Sequence, residues 1–219
     1  MIWYLPSCKY QAGHSASSAR IRRWLSGREG IRIAGCCRTS QELFCPGDTV
    51  LTNCTSCTAI TNEVSPWVRE MSIYEFLLEQ PDFVWPDYGG ERITVQDCYR
   101  SIHKPHMMAA VRECLHRMHM VPVELAENLE KTRFDGVFQF TPVARNNLSI
   151  APKFFGKLQE EYIEVIPPEQ QHARMEAWVR QYTTERTVAY CNACLKGIGI
   201  GGGNGVHLLD LITRDLTEE

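Results

Sequence analysis

Apolar and polar positions along the chain follow two different periods. Short β-rich runs at Ile2 to Leu5, Ile31 to Ala34, Thr49 to Thr52, Ile93 to Gln96, Val121 to Leu125 and Thr187 to Tyr190 predict strands. Between them lie segments with the apolar spacing of an α-helix. Lys104 to Met120 carries Met107, Val111, Cys114 and Met118, and Glu169 to Tyr182 carries Met175, Trp178, Val179 and Tyr182. Both read as amphipathic helices facing a core. Strands alternating with helices are the signature of parallel α/β units.

The pattern also repeats. One strand runs into Cys8 (IWYLPSC) and another into Cys98 (ITVQDC), while TVLTNCTSC has its counterpart in TVAYCNAC. A helical segment follows each CxxC, SIYEFLLE in the first half and GVHLLDLI in the second. The chain therefore reads as two related α/β halves, residues 1–85 and 86–219, joined through the turn-forming stretch Pro81 to Glu91. Gln139 to Pro168 has no counterpart in the first half.

Length changes what the cysteines can mean. A chain of 219 residues buries a core without covalent staples, so its ten cysteines call for something other than the disulfide framework of a small secreted domain. The N-terminal MIWYLPSC lacks a basic region, a long apolar run and a cleavage site, and reads as a first strand instead of a secretory signal. No apolar run approaches the roughly 20 residues of a membrane-spanning helix. A reducing, cytoplasmic setting is expected. The formal net charge of -3 contains no strong block of either sign, which argues against a nucleic-acid surface. Arg20, Arg22 and Arg23 lie among Ile21, Trp24 and Leu25 on a predicted helix, and read as a solvated face.

In parallel α/β sheets, ligands collect beyond the carboxyl ends of the strands. Cys8, Cys36 and Cys54 each follow a predicted strand, so parallel neighbouring strands would bring Cys8, Cys36, Cys37, Cys54 and Cys57 to one pocket. Soft thiolates in such numbers suit iron–sulfur chemistry, and five exceed the four of an ordinary cubane. The vicinal Cys36 and Cys37 cannot easily both reach one iron of a compact cluster and more readily span two.

These residues resemble the cysteine-rich CCG-domain family typified by the CCG-bearing subunit of heterodisulfide reductase, whose members carry two tandem motifs ordered Cys, Cys-Cys-Gly, CxxC. YLPSC, GCCR and CTSC supply the first motif, with Arg38 where the family has glycine. VQDC, RFDG and CNAC supply the second, with Phe134 and Asp135 in place of the cysteine pair and Gly136 retained. The resemblance covers nearly the whole chain. It implies two tandem Rossmann-like lobes with parallel sheets related by a pseudo-two-fold. It also implies a non-cubane [4Fe-4S] cluster on Cys8, Cys36, Cys37, Cys54 and Cys57, with electrons passing from a ferredoxin-like or flavin-containing donor to a disulfide or quinone-type acceptor. In the second lobe Cys98, Cys191 and Cys194 remain. They either hold zinc, completed by a histidine or by Asp135, or are remnants. A non-catalytic, metal-stabilised adaptor is the alternative expectation.

Other candidates are weaker. Cys45 lies in a turn and Cys114 on an apolar helical stripe. His103 and His106 follow Cys98 closely enough to complete a Cys3His set, and His14 lies just beyond Cys8. His207 opens the last helix, where the first half is expected to have Tyr74. The run GIGIGGGNG follows a CxxC instead of a strand, so its glycines are not a dinucleotide fingerprint.

Overall fold

The apolar run Ile2–Leu5 makes a central strand because it is covered on both faces, and Tyr4 and Leu5 are fully buried. In the computed structural model, which describes residues 1–217, this strand, β1, pairs in parallel with β2 (Ile31–Ile33) on one side and β3 (Thr49–Thr52) on the other. The edge strand β4 (Arg69–Ser72) completes the order β2-β1-β3-β4. Helices α1 (Cys8–Gly13) and α2 (Ser15–Ser26) connect β1 to β2. Helix α3 (Thr55–Val64) connects β3 to β4, and α4 (Ile73–Leu78) follows.

The second half repeats this plan. Strands β5 (Arg92–Gln96), β6 (Val121–Val123), β7 (Thr187–Ala189) and β8 (Gly205–His207) form a second all-parallel sheet in the equivalent order β6-β5-β7-β8. Its helices are α5 (Pro105–Arg117), α6 (Arg145–Ile150), α7 (Pro152–Glu161), α8 (Pro168–Val179), α9 (Asn192–Ile200) and α10 (Leu208–Ile212). The protein is thus α/β with two Rossmann-like lobes, as the sequence pattern predicts.

Local departures have local causes. β4 and β8 are edge strands whose sequences, REMS and GVH, carry little β-branched character, so periodicity does not reveal them. The expected helix GVHLLDLI divides accordingly into β8 and α10. Register then corrects one correspondence: Ser72 pairs with Thr52 and His207 with Ala189, each partner lying two residues before a CxxC. His207 therefore corresponds to Ser72, not Tyr74. Both cap the following helix, Ser72 through a full capping box with Glu75 and His207 by accepting from the Leu209 amide.

The segment without a counterpart crosses to the other half. Val143, Ala151, Phe155 and Leu158 share a core with Leu5, Val50 and Ile60 of the first lobe. Glu63 of α3 accepts hydrogen bonds from the Lys153 and Phe154 amides at 2.9 and 2.8 Å, fixing the start of α7 against the first lobe. The lobes are also joined by Tyr10 and His14 to Asp210, at 2.7 and 2.6 Å, and by Lys104 to Glu70. Among the described residues, no helix is long and apolar enough to cross a membrane.

Candidate metal centres

In the first lobe the carboxyl ends of β2, β1 and β3 lie side by side, and each is followed within a few residues by cysteine. After β1 the chain turns through Ser7, held in the left-handed region at φ 55°, and its hydroxyl accepts from the Tyr10 amide to start α1 at Cys8. Such strain in a non-glycine residue persists where surrounding structure imposes it, commonly at functional sites. After β2 the loop bearing Cys36 and Cys37 is tied down by Gly35 donating to Ser40 Oγ (3.1 Å) and by Gln41 donating to the Cys37 carbonyl (2.6 Å). After β3, Cys54 takes the N-cap position of α3 and Cys57 lies in its first turn.

Cys8, Cys37, Cys54 and Cys57 consequently line one cavity of about 160 Å³, together with Ser56 and Arg38. Cys36 adjoins this set in the same loop, and its thiol hydrogen-bonds Cys37. Arg38, which follows the vicinal cysteines, is held at the cavity by two hydrogen bonds to Asn147 of α6 (3.1 and 2.7 Å). The thiols are unequal. Hydrogen-bonding contact with Cys57 pushes Cys54 down to about 6 and also lowers Cys37, while the same contacts raise Cys57 itself. Burial and the neighbouring Cys36 raise Cys8.

The second lobe builds a tighter set. Cys191 is the N-cap of α9 and Cys194 lies in its first turn, in the same relation as Cys54 and Cys57 to α3. Cys98 follows β5, and Asp135 arrives at the start of a short 3-10 segment, Gly136–Phe140, packed against α9. That packing needs glycine: a Cβ at Gly136, where φ is +53°, would sit 2.0 Å from the Ala193 carbonyl oxygen, and one at Gly197 would meet Gly136 Cα at 2.7 Å. Cys98, Asp135, Cys191 and Cys194 are all buried, with ligand atoms within 4.8 Å of one another, and this group could hold a metal ion.

Arg100 runs through this second site with its side chain only 2% exposed. Its guanidinium donates to both Asp135 oxygens (Nε at 3.0 and 2.7 Å, Nη2 to Oδ1 at 2.8 Å) and to Cys191 Sγ at 3.2 Å. Nη1 donates to Ser56 Oγ at 2.7 Å, inside the first CxxC, and the group lies 4.1 Å from the Phe138 ring centre. Hydrogen bonds from Cys194 and Cys98, followed by Arg100, hold Cys191 well below the ordinary thiol range. Burial raises Cys98 and Cys194, and it raises Asp135 to about 6 against the opposing pull of Arg100.

The donor sets fit different occupants. The close Cys3Asp group suits one tetrahedral ion with thiolate and carboxylate ligands. The wider first-lobe cavity, lined by four thiols with Cys36 adjoining Cys37 in the chain, has room for a polynuclear group. Asn53, immediately before Cys54, has both amide atoms buried without a protein partner, and so has the Tyr4 hydroxyl, whose ionisation burial and Cys57 oppose. Buried polar atoms of this kind ordinarily have hydrogen-bond partners.

The remaining candidates fall elsewhere. His103 lies on an interlobe cleft of about 560 Å³ and His106 on the surface beside Glu70, so Asp135 and not a histidine completes the second group. His14 is turned to Asp210. Cys45 is exposed in its turn, and Cys114 is buried with its thiol directed at the Tyr74 carbonyl (3.9 Å), a core residue. None of the ten cysteines, all among the described residues, is in a disulfide.

His207 is fully buried with Nε2 unpartnered, and burial lowers it from 6.5 to about 4. Being depressed in the folded state, it contributes stability that is fully present above about 6.5 and is lost as pH falls towards about 4. The unfolded chain takes up a proton there that the folded chain refuses. The difference corresponds to about 3 kcal/mol. Urea unfolding at pH 7 and at pH 4.5 should show a smaller acid loss for His207→Gln than for the parent chain; equal losses would mean that His207 does not contribute to acid sensitivity.

No family model matches the chain, and neither the curated proteins nor the solved structures contain a match to it. The two sites alone carry the functional reading.

Proposed function

We propose that the protein is an iron–sulfur redox protein that passes electrons to a disulfide or quinone-linked acceptor through a non-cubane [4Fe-4S] cluster in the first lobe, with zinc in the second. The observation that carries this reading is the convergence of Cys8, Cys37, Cys54 and Cys57 on one cavity beyond three adjacent parallel strands, with Cys36 beside Cys37 in the same loop. When bound, the cluster supplies one-electron chemistry that no side chain here provides. The protein's own part is to hold the thiolates, to set Arg38 beside them as a fixed positive charge, and to wall the pocket with Phe138 and the α6 segment. Cys98, Asp135, Cys191 and Cys194 are the residues that would hold zinc, and Arg100 would offset their negative charge.

Converting a disulfide to two thiols breaks the S–S bond and consumes two electrons and two protons. A ferredoxin-like or flavin-containing donor would supply the electrons singly. An acceptor would approach through the thiol cavity itself, whose wall combines the first-lobe cysteines with Phe138, Thr141, Pro142 and Asn147 from the second half. A second reading, a metal-stabilised adaptor without redox activity, rests on all four members of the second-lobe group being buried, as the ligands of structural metal sites are.

Iron, acid-labile sulfide and zinc analysis of anaerobically purified protein tests the reading. Cys36→Ser and Cys37→Ser should lose most of the iron and colour, and Cys114→Ser should keep both. Equal iron in all three would sink the cluster assignment. Mixing the reduced protein with low-molecular-weight disulfides and with quinones then separates reductase from relay, and a protein with zinc but no iron leaves the adaptor.

A further inference from the structure

The two cysteine sites share a residue. We infer that Arg100 is a positioning residue common to both, coupling metal occupancy of the second-lobe group to the first-lobe CxxC through Ser56. This rests on the reading of Cys98, Asp135, Cys191 and Cys194 as a metal site, and is independent of iron in the first lobe.

The geometry is specific. A guanidinium is a rigid planar fork, so fixing one arm fixes the directions of the others. Nη1 is anchored on Ser56, between Cys54 and Cys57, while Nε and Nη2 are directed at Asp135 and Cys191. Ser56 and Phe138, the residues that Arg100 meets on its other side, are walls of the first-lobe thiol cavity. Thr55 Oγ1 also faces Cys191 Sγ at 3.9 Å, so both residues between the first-lobe CxxC cysteines reach the second-lobe site. Partners that orient a metal's ligands contribute about 10- to 100-fold to its affinity. Ser56 reaches the second-lobe ligands through the arm it holds, and its influence there passes along that arm.

Linkage makes the coupling reciprocal: whatever dication binding does to the Ser56 contact, that contact does to dication binding. Lysine at position 100 would keep a positive charge but lose the fork, so it removes orientation while leaving Asp135 compensated.

Cobalt(II) titration of the full-length protein, read by thiolate-to-cobalt charge-transfer bands, tests this. Bands that vanish in Cys194→Ala belong to the second lobe. Arg100→Lys should weaken that cobalt affinity about 10- to 100-fold, and Ser56→Ala should weaken it by a smaller factor, with Ser56→Thr, which keeps the hydroxyl, restoring it. The double variant should be no weaker than Arg100→Lys alone, because Ser56 acts through Arg100. An unchanged affinity in Ser56→Ala, additive effects, or no Cys194-dependent band at all would overturn the inference. Iron and sulfide content of the parent protein, measured separately, reports on the first-lobe cluster, so the two failures are distinguishable.

Discussion

Gly136→Ala is expected to unfold or strongly destabilise the second lobe and to abolish its metal site, although it adds a single methyl group. Two effects combine. Alanine in the left-handed region costs about 1–2 kcal/mol, and the new Cβ would stand 2.0 Å from the Ala193 carbonyl oxygen and 2.7 Å from Cys194 Cα. Backbone atoms cannot rotate away as a flexible side chain can, so the 3-10 segment must separate from α9. Overpacking of this kind adds about 1–3 kcal/mol, for a total loss of about 2–5 kcal/mol. Because Asp135 precedes this contact and Cys194 lies across it, the same displacement draws two members of the metal group apart. Denaturant unfolding and cobalt titration measure the two consequences separately. A variant with parental stability and an intact charge-transfer band would show that the glycine contact does not build the site. Gly13→Ala, where an added Cβ meets nothing within 4 Å, is the matched control.

The strand-forming runs and the repeated order of cysteines make the two sheets legible, because a buried parallel strand needs an apolar run and a helix needs its own period. β4 and β8 escape because their sequences, REMS and GVH, lack the run of β-branched and apolar residues that marks the other strands. The first-lobe pocket is legible for a geometric reason: parallel neighbours put their carboxyl ends together, which gathers Cys8, Cys36 and Cys54 from strand order alone. Asp135 stands out only through the resemblance, which aligns it with a cysteine of the CCG pattern. Arg100 does not. It lies two residues after Cys98, and an arginine there is expected in solvent; only the fold shows its side chain turned inward between the lobes. Nor does periodicity report that α6 and α7, encoded in the second half, close over the first. Their apolar positions state that they pack, not on what. Arg38 and Asn147 are both visible as polar residues beside apolar stretches, but their hydrogen bond joins positions far apart in the chain.

Arg100→Leu should cost about 3–5 kcal/mol, the usual penalty for breaking a buried ion pair and leaving one charge behind. Asp135 is fully buried and would lose three hydrogen bonds from the guanidinium, while Cys191 would lose the cation that favours its thiolate. Replacing both partners is a different experiment. In Arg100→Leu/Asp135→Leu no carboxylate is stranded, and apolar pairs in such positions are often as stable as the ion pair or more so. The double variant should therefore recover most of the lost stability, measured by denaturant unfolding, while remaining unable to bind cobalt in the second lobe. That combination would mean that the pair is kept for the metal site and not for the fold. A double variant as unstable as Arg100→Leu would point the other way, to Arg100 as a structural tie between the lobes through Ser56 and Phe138. A single variant that loses less than about 1 kcal/mol, the scale of a surface pair, would show that the buried pair is not compensating charge at all.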